Sequence, residues 1–294
     1  MHQPEHARGF ALLEEALTVL FCLVDDIYQN VNPNGRRYES LKKLTDSEVI
    51  TLALFQQLQG LESQRSFLRD ASRFFSHLFP GVVGLAPSSL HRRIRKLRCF
   101  LEPLRRAVLS ELVGEPEVLL IDSTLLAVLH PRQVGQSAGF VGAAWVRWGS
   151  FCVYGVKFHL LCAANRVPIS YELTPANTAE VCLVGELLNE AQLGDDFVRR
   201  LFGDLAYRSG ALGETLAEAG VLLVTEHSAQ GGKRQQAEVC FASLKRVFGL
   251  GETLATTLVG LAVRIAAKIT AYTYAFLVNR RLGRPQGKIK ELWA

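Results

Sequence analysis

Asp122 interrupts an apolar run, Val118-Leu119-Leu120-Ile121, bounded upstream by Gly114 and Pro116. Such a run suits a central strand buried on both faces. A charged carboxylate inside it costs several kcal/mol unless a cation or cationic partner balances it. The alternative is an aspartate that caps a turn at a strand end. Asp204 lies near the C-terminal end of a second strand pattern, residues 198–205, and Glu238 lies on a helical pattern from Lys233 to Phe248. The spacings are 204 − 122 = 82 and 238 − 204 = 34 residues. At about 100° per residue, Arg234, Glu238 and Lys245 fall within about 40° of one another. Ala237, Cys240, Phe241, Leu244, Val247 and Phe248 form an adjoining apolar face suited to packing on a sheet. An amphipathic surface helix with an Arg–Glu pair one turn apart would have the same pattern.

Other chemistries lack a local residue set. The six cysteines never come closer than ten residues, so no CxxC pair points to zinc or to a redox site. They read as reduced, mostly buried small hydrophobes of a cytosolic protein. Cys152 and His159 are seven residues apart on one strand pattern and cannot pair locally, and His130 and His227 have no neighbouring ligands.

The elements that must position the three acids follow from patterning. A helix is expected over 10–31, ended by Asn32-Pro33-Asn34-Gly35. Thr45-Asp46-Ser47-Glu48 forms a capping box that opens a helix to about Leu58. A third helix covers 63–78, and one long basic helix from Pro87 carries His91, Arg92, Arg93, Arg95, Lys96, Arg98, Arg105 and Arg106. Compact helices ending in a basic one resemble a helix-turn-helix DNA-binding region, with Arg92, Arg93, Lys96 and Arg105 placed to meet phosphates. Solvated helix faces would look the same. From Glu117 strands take over. A Gly-rich loop spans 131–142, and a hairpin turns within Trp145–Phe151. Strands follow at 151–163 and 167–173, then a helix at 178–192, the Asp204 strand, a helix at 209–219 and a strand at 221–226. A Gly-rich linker at 229–232 precedes the Glu238 helix. Lys157 and His159 alternate onto one strand face, where they either reach DNA or serve the structure.

The charge is uneven. Residues 1–110 carry 15 basic and 11 acidic side chains, residues 111–230 carry 7 and 14, and residues 231–294 carry 11 and 3. An acidic middle between basic ends fits a cation-binding core with arms that hold a polyanion. The stretch 254–278 is membrane-like in hydropathy, but Arg264 and Lys268, one turn apart, argue for an amphipathic helix and no membrane. The polar start, Met1–Gly9, lacks the form of a secretory signal.

Three β elements followed by β-α-β-α give the order of a ribonuclease-H-like mixed sheet. The expected fold is α/β, this core preceded by an all-helical DNA-binding region and followed by C-terminal helices. The expected boundaries are 1–113, 114–250 and 251–294.

The motifs together resemble the DDE transposases of bacterial insertion sequences, in the branch with a Tyr-x2-Arg-x3-Glu-x6-Lys signature. Arg234-x3-Glu238-x6-Lys245 fits that spacing, although Gly231 stands at the tyrosine position. Ile121-Asp122-Ser123 looks like the first-aspartate motif, and Tyr154–Leu161 is similar to the strand that follows it. Leu173–Asn177 and Gly203-Asp204-Leu205-Ala206-Tyr207 resemble the turn and second-aspartate motifs, with Leu205 where relatives often carry a polar or basic residue. The resemblance implies that Asp122, Asp204 and Glu238 are catalytic and hold two Mg²⁺ ions, with Mn²⁺ able to substitute. Water frees a 3′-hydroxyl at the element end, and that hydroxyl then attacks target DNA. Arg234 and Lys245 grip phosphates. The implied partners are double-stranded DNA, as transposon ends and as target, and a second copy of the chain in a homodimer. The implied location is the bacterial cytoplasm at the nucleoid. A catalytically inactive element relic acting as a repressor, and a nuclease on the same fold that cuts without joining, remain as alternatives.

Overall fold

The computed structural model describes residues 5–35, 39–135, 139–192, 198–225, 234–252 and 254–289; the side chains of 5–10, 40 and 234 fall outside that description. The expected linker at 229–232, with Gly231, and His227 also lie outside it.

The chain divides into two units. One comprises residues 1–108, 247–254 and 263–294. Its helices are α1 (Glu5–Val31), α2 (Asp46–Leu58), α3 (Gln64–Phe74), α4 (Pro87–Leu97), α5 (Leu101–Ala107) and most of α10 (Leu258–Arg281). The capping box is complete: Glu48 N–H donates to Thr45 Oγ1 at 3.1 Å and Thr45 N–H donates to Glu48 Oε2 at 2.5 Å. The third helix stops at Phe74, four residues short of the expected end.

The single long basic helix expected from Pro87 is in fact broken. A 3-10 turn at Arg98–Phe100 separates α4 from α5, and α6 (Leu109–Val113) follows in the other unit. Pro103 is the physical reason. It has no N–H for the Cys99 carbonyl and would clash in a helix interior, but it is tolerated in the first turn of a new helix.

Helix α10 is long and apolar enough to cross a membrane by length and composition, yet 78% of its most apolar window is buried. Lys268, buried within it, donates to Glu62 and to the Phe248 carbonyl, and Arg264 donates to Glu62 at 2.8 Å. Tyr274 donates to the Leu104 carbonyl at 3.2 Å, and Tyr272 meets Phe248 edge to face. It is a core helix of this unit.

The second unit, residues 109–246 and 255–262, is built on a six-stranded sheet. The strands are β1 (Val118–Leu129), β2 (Ala144–Trp148), β3 (Phe151–Ala163), β4 (Pro168–Pro175), β5 (Arg200–Phe202) and β6 (Leu222–Val224). The order is β2-β3-β1-β5-β6, with β4 also on β3. β3 runs antiparallel to β1, β2 and β4, whereas β5 and β6 are parallel to β1. This is the expected ribonuclease-H-like mixed sheet. Arg166 takes the left-handed conformation (φ 73°) in the turn between β3 and β4, and Gly149 does so (φ 61°) in the turn between β2 and β3. Beside α6 and the first residues of α10, the unit holds α7 (Val184–Ala191), α8 (Gly210–Glu218) and α9 (Arg234–Arg246). The helix expected over 178–192 begins as a 3-10 turn at Glu180–Leu183, and β5 is shorter than the strand pattern suggested.

Side chains alternate along β1, so its two faces pack differently. Leu119 and Ile121 join Leu161, Val184, Leu187 and Tyr207 in a buried cluster on one face. Antiparallel register puts Leu120, Asp122 and Thr124 opposite Cys162, Leu160 and Phe158 on the other. Helix α9 covers that second face: Phe241 packs on Phe158, and the Cys240 thiol lies against Cys162, where it and burial push the Cys162 thiol well up.

Candidate active site

Asp122 sits in mid-strand on β1, half-buried, its Oδ1 accepting from Ser123 N–H at 2.8 Å. Asp204 follows the end of β5 and caps the short turn Leu205–Tyr207, Oδ1 accepting from Ala206 N–H at 2.9 Å. The parallel β1–β5 register ends at Leu120 beside Phe202. Asp122 stands two residues further along β1, and Asp204 two residues past the end of β5. Adjacent parallel strands lie about 4.8 Å apart, so a register continued past its last pair would bring the two carboxylates near one another.

Tyr207 ties this place together. The phenol is buried beside the Ser123 hydroxyl, and burial, followed by the negative charges of Asp122, Asp204 and Glu180, pushes it far above its usual range. Gly203 makes room for the ring. A Cβ at 203 would stand 2.9 Å from Tyr207 Cδ2 and 3.1 Å from Ile121 Cγ2.

Glu180 is a component that sequence reasoning missed. Its Oε1 accepts from Lys157 Nζ at 2.7 Å and from Ser123 Oγ at 3.3 Å, directly behind Asp122 in the chain. Burial opposes its ionisation, but the Lys157 hydrogen bond wins and holds the carboxyl below the usual range. No spacing rule links residues 123, 157 and 180, so only the fold reveals the group. Lys157 also donates to the Thr178 carbonyl at 2.7 Å. His159 is fully buried, with Nε2 2.9 Å from Thr174 Oγ1. Both side chains therefore serve the structure and do not reach outward to DNA.

Glu238 and Lys245 lie exposed on α9 while Ala237, Cys240, Phe241 and Leu244 are buried, the division that the helical pattern implied. Arg234 opens the helix, and its side chain lies outside the described residues. Two aspartates offer hard oxygen donors of the kind Mg²⁺ takes. Among the described residues, however, no three His, Cys, Asp or Glu side chains come together as a metal-binding group. The donor chemistry of the two aspartates suits such an ion, and no third His, Cys, Asp or Glu among the described residues joins them.

On α4, Arg92 and Lys96 are exposed and line a groove of about 560 Å³ with His91, Arg95, Arg98 and Cys99. Arg93 differs. Its guanidinium donates to the Leu44 carbonyl and to Asp46, each at 2.5 Å, clamping the start of α2. Arg105, expected on the basic face, is instead fully buried and paired with Glu102 at 2.5 Å.

No curated protein matches the chain. A solved structure described as a pre-cleavage Mos1 transpososome is similar at 12% identity and a TM-score of 0.26, covering 78% of this chain and 77% of that one. A likeness at that level carries no argument. A family model for the transposase DDE domain matches residues 114–274, more than half of the chain and the whole stretch that holds Asp122, Asp204 and Glu238. The chain therefore belongs to the DDE-domain transposases.

Proposed function

We propose that the chain cuts DNA at the ends of an insertion sequence and joins the freed 3′-hydroxyl to target DNA, with Asp122, Asp204 and Glu238 as the catalytic carboxylates. The observation that supports the reading is the buried Tyr207 phenol, which feels the charges of both Asp122 and Asp204, next to a parallel β1–β5 register that ends at Leu120 and Phe202, two residues before each aspartate. The three carboxylates would hold divalent ions, with Mg²⁺ the match for an all-oxygen donor set. Such ions, when bound, activate the attacking oxygen and stabilise the leaving one.

The chain's own residues do the remaining work. Ser123 and Ala206 backbone N–H groups orient the two aspartates. The Lys157–Glu180 pair holds Ser123, and through it β1, from the opposite face. Glu238 is carried on α9, which packs on the Asp122 face of the sheet. Exposed Lys245 on α9 and exposed Arg92 and Lys96 on α4 suit phosphate contacts, which position DNA without reading its sequence. Arg93 is committed to Asp46 and would have to leave it to reach a phosphate.

The test is cleavage and joining of DNA carrying the flanking repeats of the element, with Mg²⁺, with Mn²⁺ and with chelator. Metal-dependent cutting followed by joining of pre-cut ends is expected. Cutting without joining would reduce the reading to a nuclease, and binding without either would reduce it to a repressor.

A further inference from the structure

The β2–β3 hairpin has no assigned role, and it is unusually apolar for an exposed sheet edge. Val141, Trp145, Trp148 and Phe151 all lie exposed within eleven residues, Trp148 at 62% and Phe151 at 73%. Natural edge strands are normally blunted by charge or proline, because a bare apolar edge invites pairing. Here aromatic rings stand on both faces of a two-stranded ribbon. Trp148 and Phe151 are cross-strand partners beside the turn, and Trp145 tilts onto its own partner Tyr154 at 5.4 Å on the other face.

Charge distinguishes the possible occupants. Between Asp122 and Glu172 the chain contains no Asp or Glu, although it carries 28 elsewhere. Arg132 and Arg147 are exposed in this stretch, and Arg147 donates to Gly149 O at the turn. A second copy seated hairpin to hairpin would bring together two surfaces that both carry Arg147 and hold no carboxylate from this stretch to balance it. A flat protein surface would cover one face of the ribbon and leave the other aromatic pair in water. Nucleic acid bases fit both demands: they are flat, they stack on rings from either side, and they bring negative phosphates.

We infer that the β2–β3 hairpin stacks unpaired bases of a DNA strand on Trp148 and Phe151, with Arg147 beside the backbone. The inference rests on the chain acting on DNA as proposed above. The distance is suitable. Phe151 lies nine residues along β3 from Leu160, the partner of Asp122, or about 30 Å at 3.3 Å per residue. That is roughly nine base steps of duplex at 3.4 Å each. The hairpin would hold a strand that has parted from its complement at that remove from the carboxylates. Because every base has a flat face, the preference should tolerate any sequence.

The probe is a short duplex with an unpaired tail containing 2-aminopurine, compared with a blunt duplex of equal length and charge. The full chain should bind the tailed duplex about ten-fold more tightly and quench the 2-aminopurine emission. Trp148→Ala and Phe151→Ala should each reduce that preference several-fold and relieve the quenching, while Trp148→Phe retains most of both. All these side chains are exposed, so melting temperatures should stay close to that of the unmodified chain. Asp122→Ala should lose cleavage and keep the preference, which separates the two readings. A chain that cuts DNA but does not distinguish tailed from blunt duplex overturns the hairpin role alone. Loss of self-association in Trp148→Ala, with the preference unchanged, would make a second copy the occupant and overturn it too. A chain that binds neither duplex overturns both readings.

Discussion

Phe241 on α9 meets Phe158 on β3 edge to face, with ring centroids 6.0 Å apart and planes at 87°. Phe158 lies opposite Thr124, two residues beyond Asp122. That ring contact fixes the helix bearing Glu238 on the face of the sheet bearing Asp122.

Truncating Phe241 should therefore affect folding and chemistry together. Phe241→Ala is expected to lose about 3–5 kcal/mol, the usual cost for a buried aromatic. Lys245→Ala should barely change the melting temperature, since surface charges contribute about 0–1 kcal/mol, and the same is expected of Arg234→Ala. Both should still lower joining of pre-cut ends. Normal melting with normal joining in these two variants would remove them from the phosphate contacts.

The carboxylates make the converse case. Asp122→Asn, Asp204→Asn and Glu238→Gln should each abolish strand cleavage and leave DNA binding and melting nearly unchanged. A Glu238→Gln protein that cuts at the normal rate would dismiss α9 as a source of the third acid, and Glu180 would become the next residue to test.

Lys157 and Glu180 are partners in a mostly buried pair, with side chains 12% and 25% exposed. Glu180→Ala strands the lysine and should cost about 2–4 kcal/mol, somewhat less than a fully buried break. The double variant Lys157→Met, Glu180→Leu should recover much of that loss. Chemical denaturation of the two singles and the double measures the coupling, and strict additivity would mean that the pair contributes nothing of its own.

His159 predicts a pH dependence. Burial first, then the nearby Lys157 charge, lowers its pKa to about 4, with Glu180 pulling weakly the other way. An unfolded histidine titrates near 6.5. Between about pH 4 and 6.5 the unfolded chain therefore holds a proton that the folded chain does not, and stability rises with pH through that window. The contribution is fully present above about 6.5, lost as pH falls to about 4, and worth roughly 3 kcal/mol. In His159→Gln the drop in unfolding free energy between pH 7 and 4.5 should be smaller. An identical drop in both proteins would contradict a buried neutral imidazole.

Much of this architecture was legible from the chain. Apolar runs and turn residues marked β1, β3 and β4, and the Thr45–Glu48 box located the start of α2 to the residue. The α9 faces followed from helical periodicity alone. Where reading failed, long-range contacts had overridden local pattern. Pro103 broke a helix that charge alone had made continuous, and Arg105 and Arg93 turned inward to Glu102 and Asp46. Glu180 had no motif spacing at all, and Tyr207, although it closes the Gly203–Tyr207 motif, carried no sign of being buried beside Asp122 and Asp204. They enter the site only because the fold brings the turn at 180–183 and the turn after β5 to the middle of β1, at Asp122 and Ser123.

Helix α10 has a consequence for how the protein is made. The helical unit takes residues 1–108 and then 247–254 and 263–294, most of its core helix among the latter, with most of the sheet unit between them. As the chain leaves the ribosome, Leu101, Leu104 and Glu62 must wait for Thr270, Tyr274 and Lys268, more than 160 residues later. The helical unit cannot close until α10 has been made. A copy of the gene cut short before α10 would yield a helical unit without its core helix.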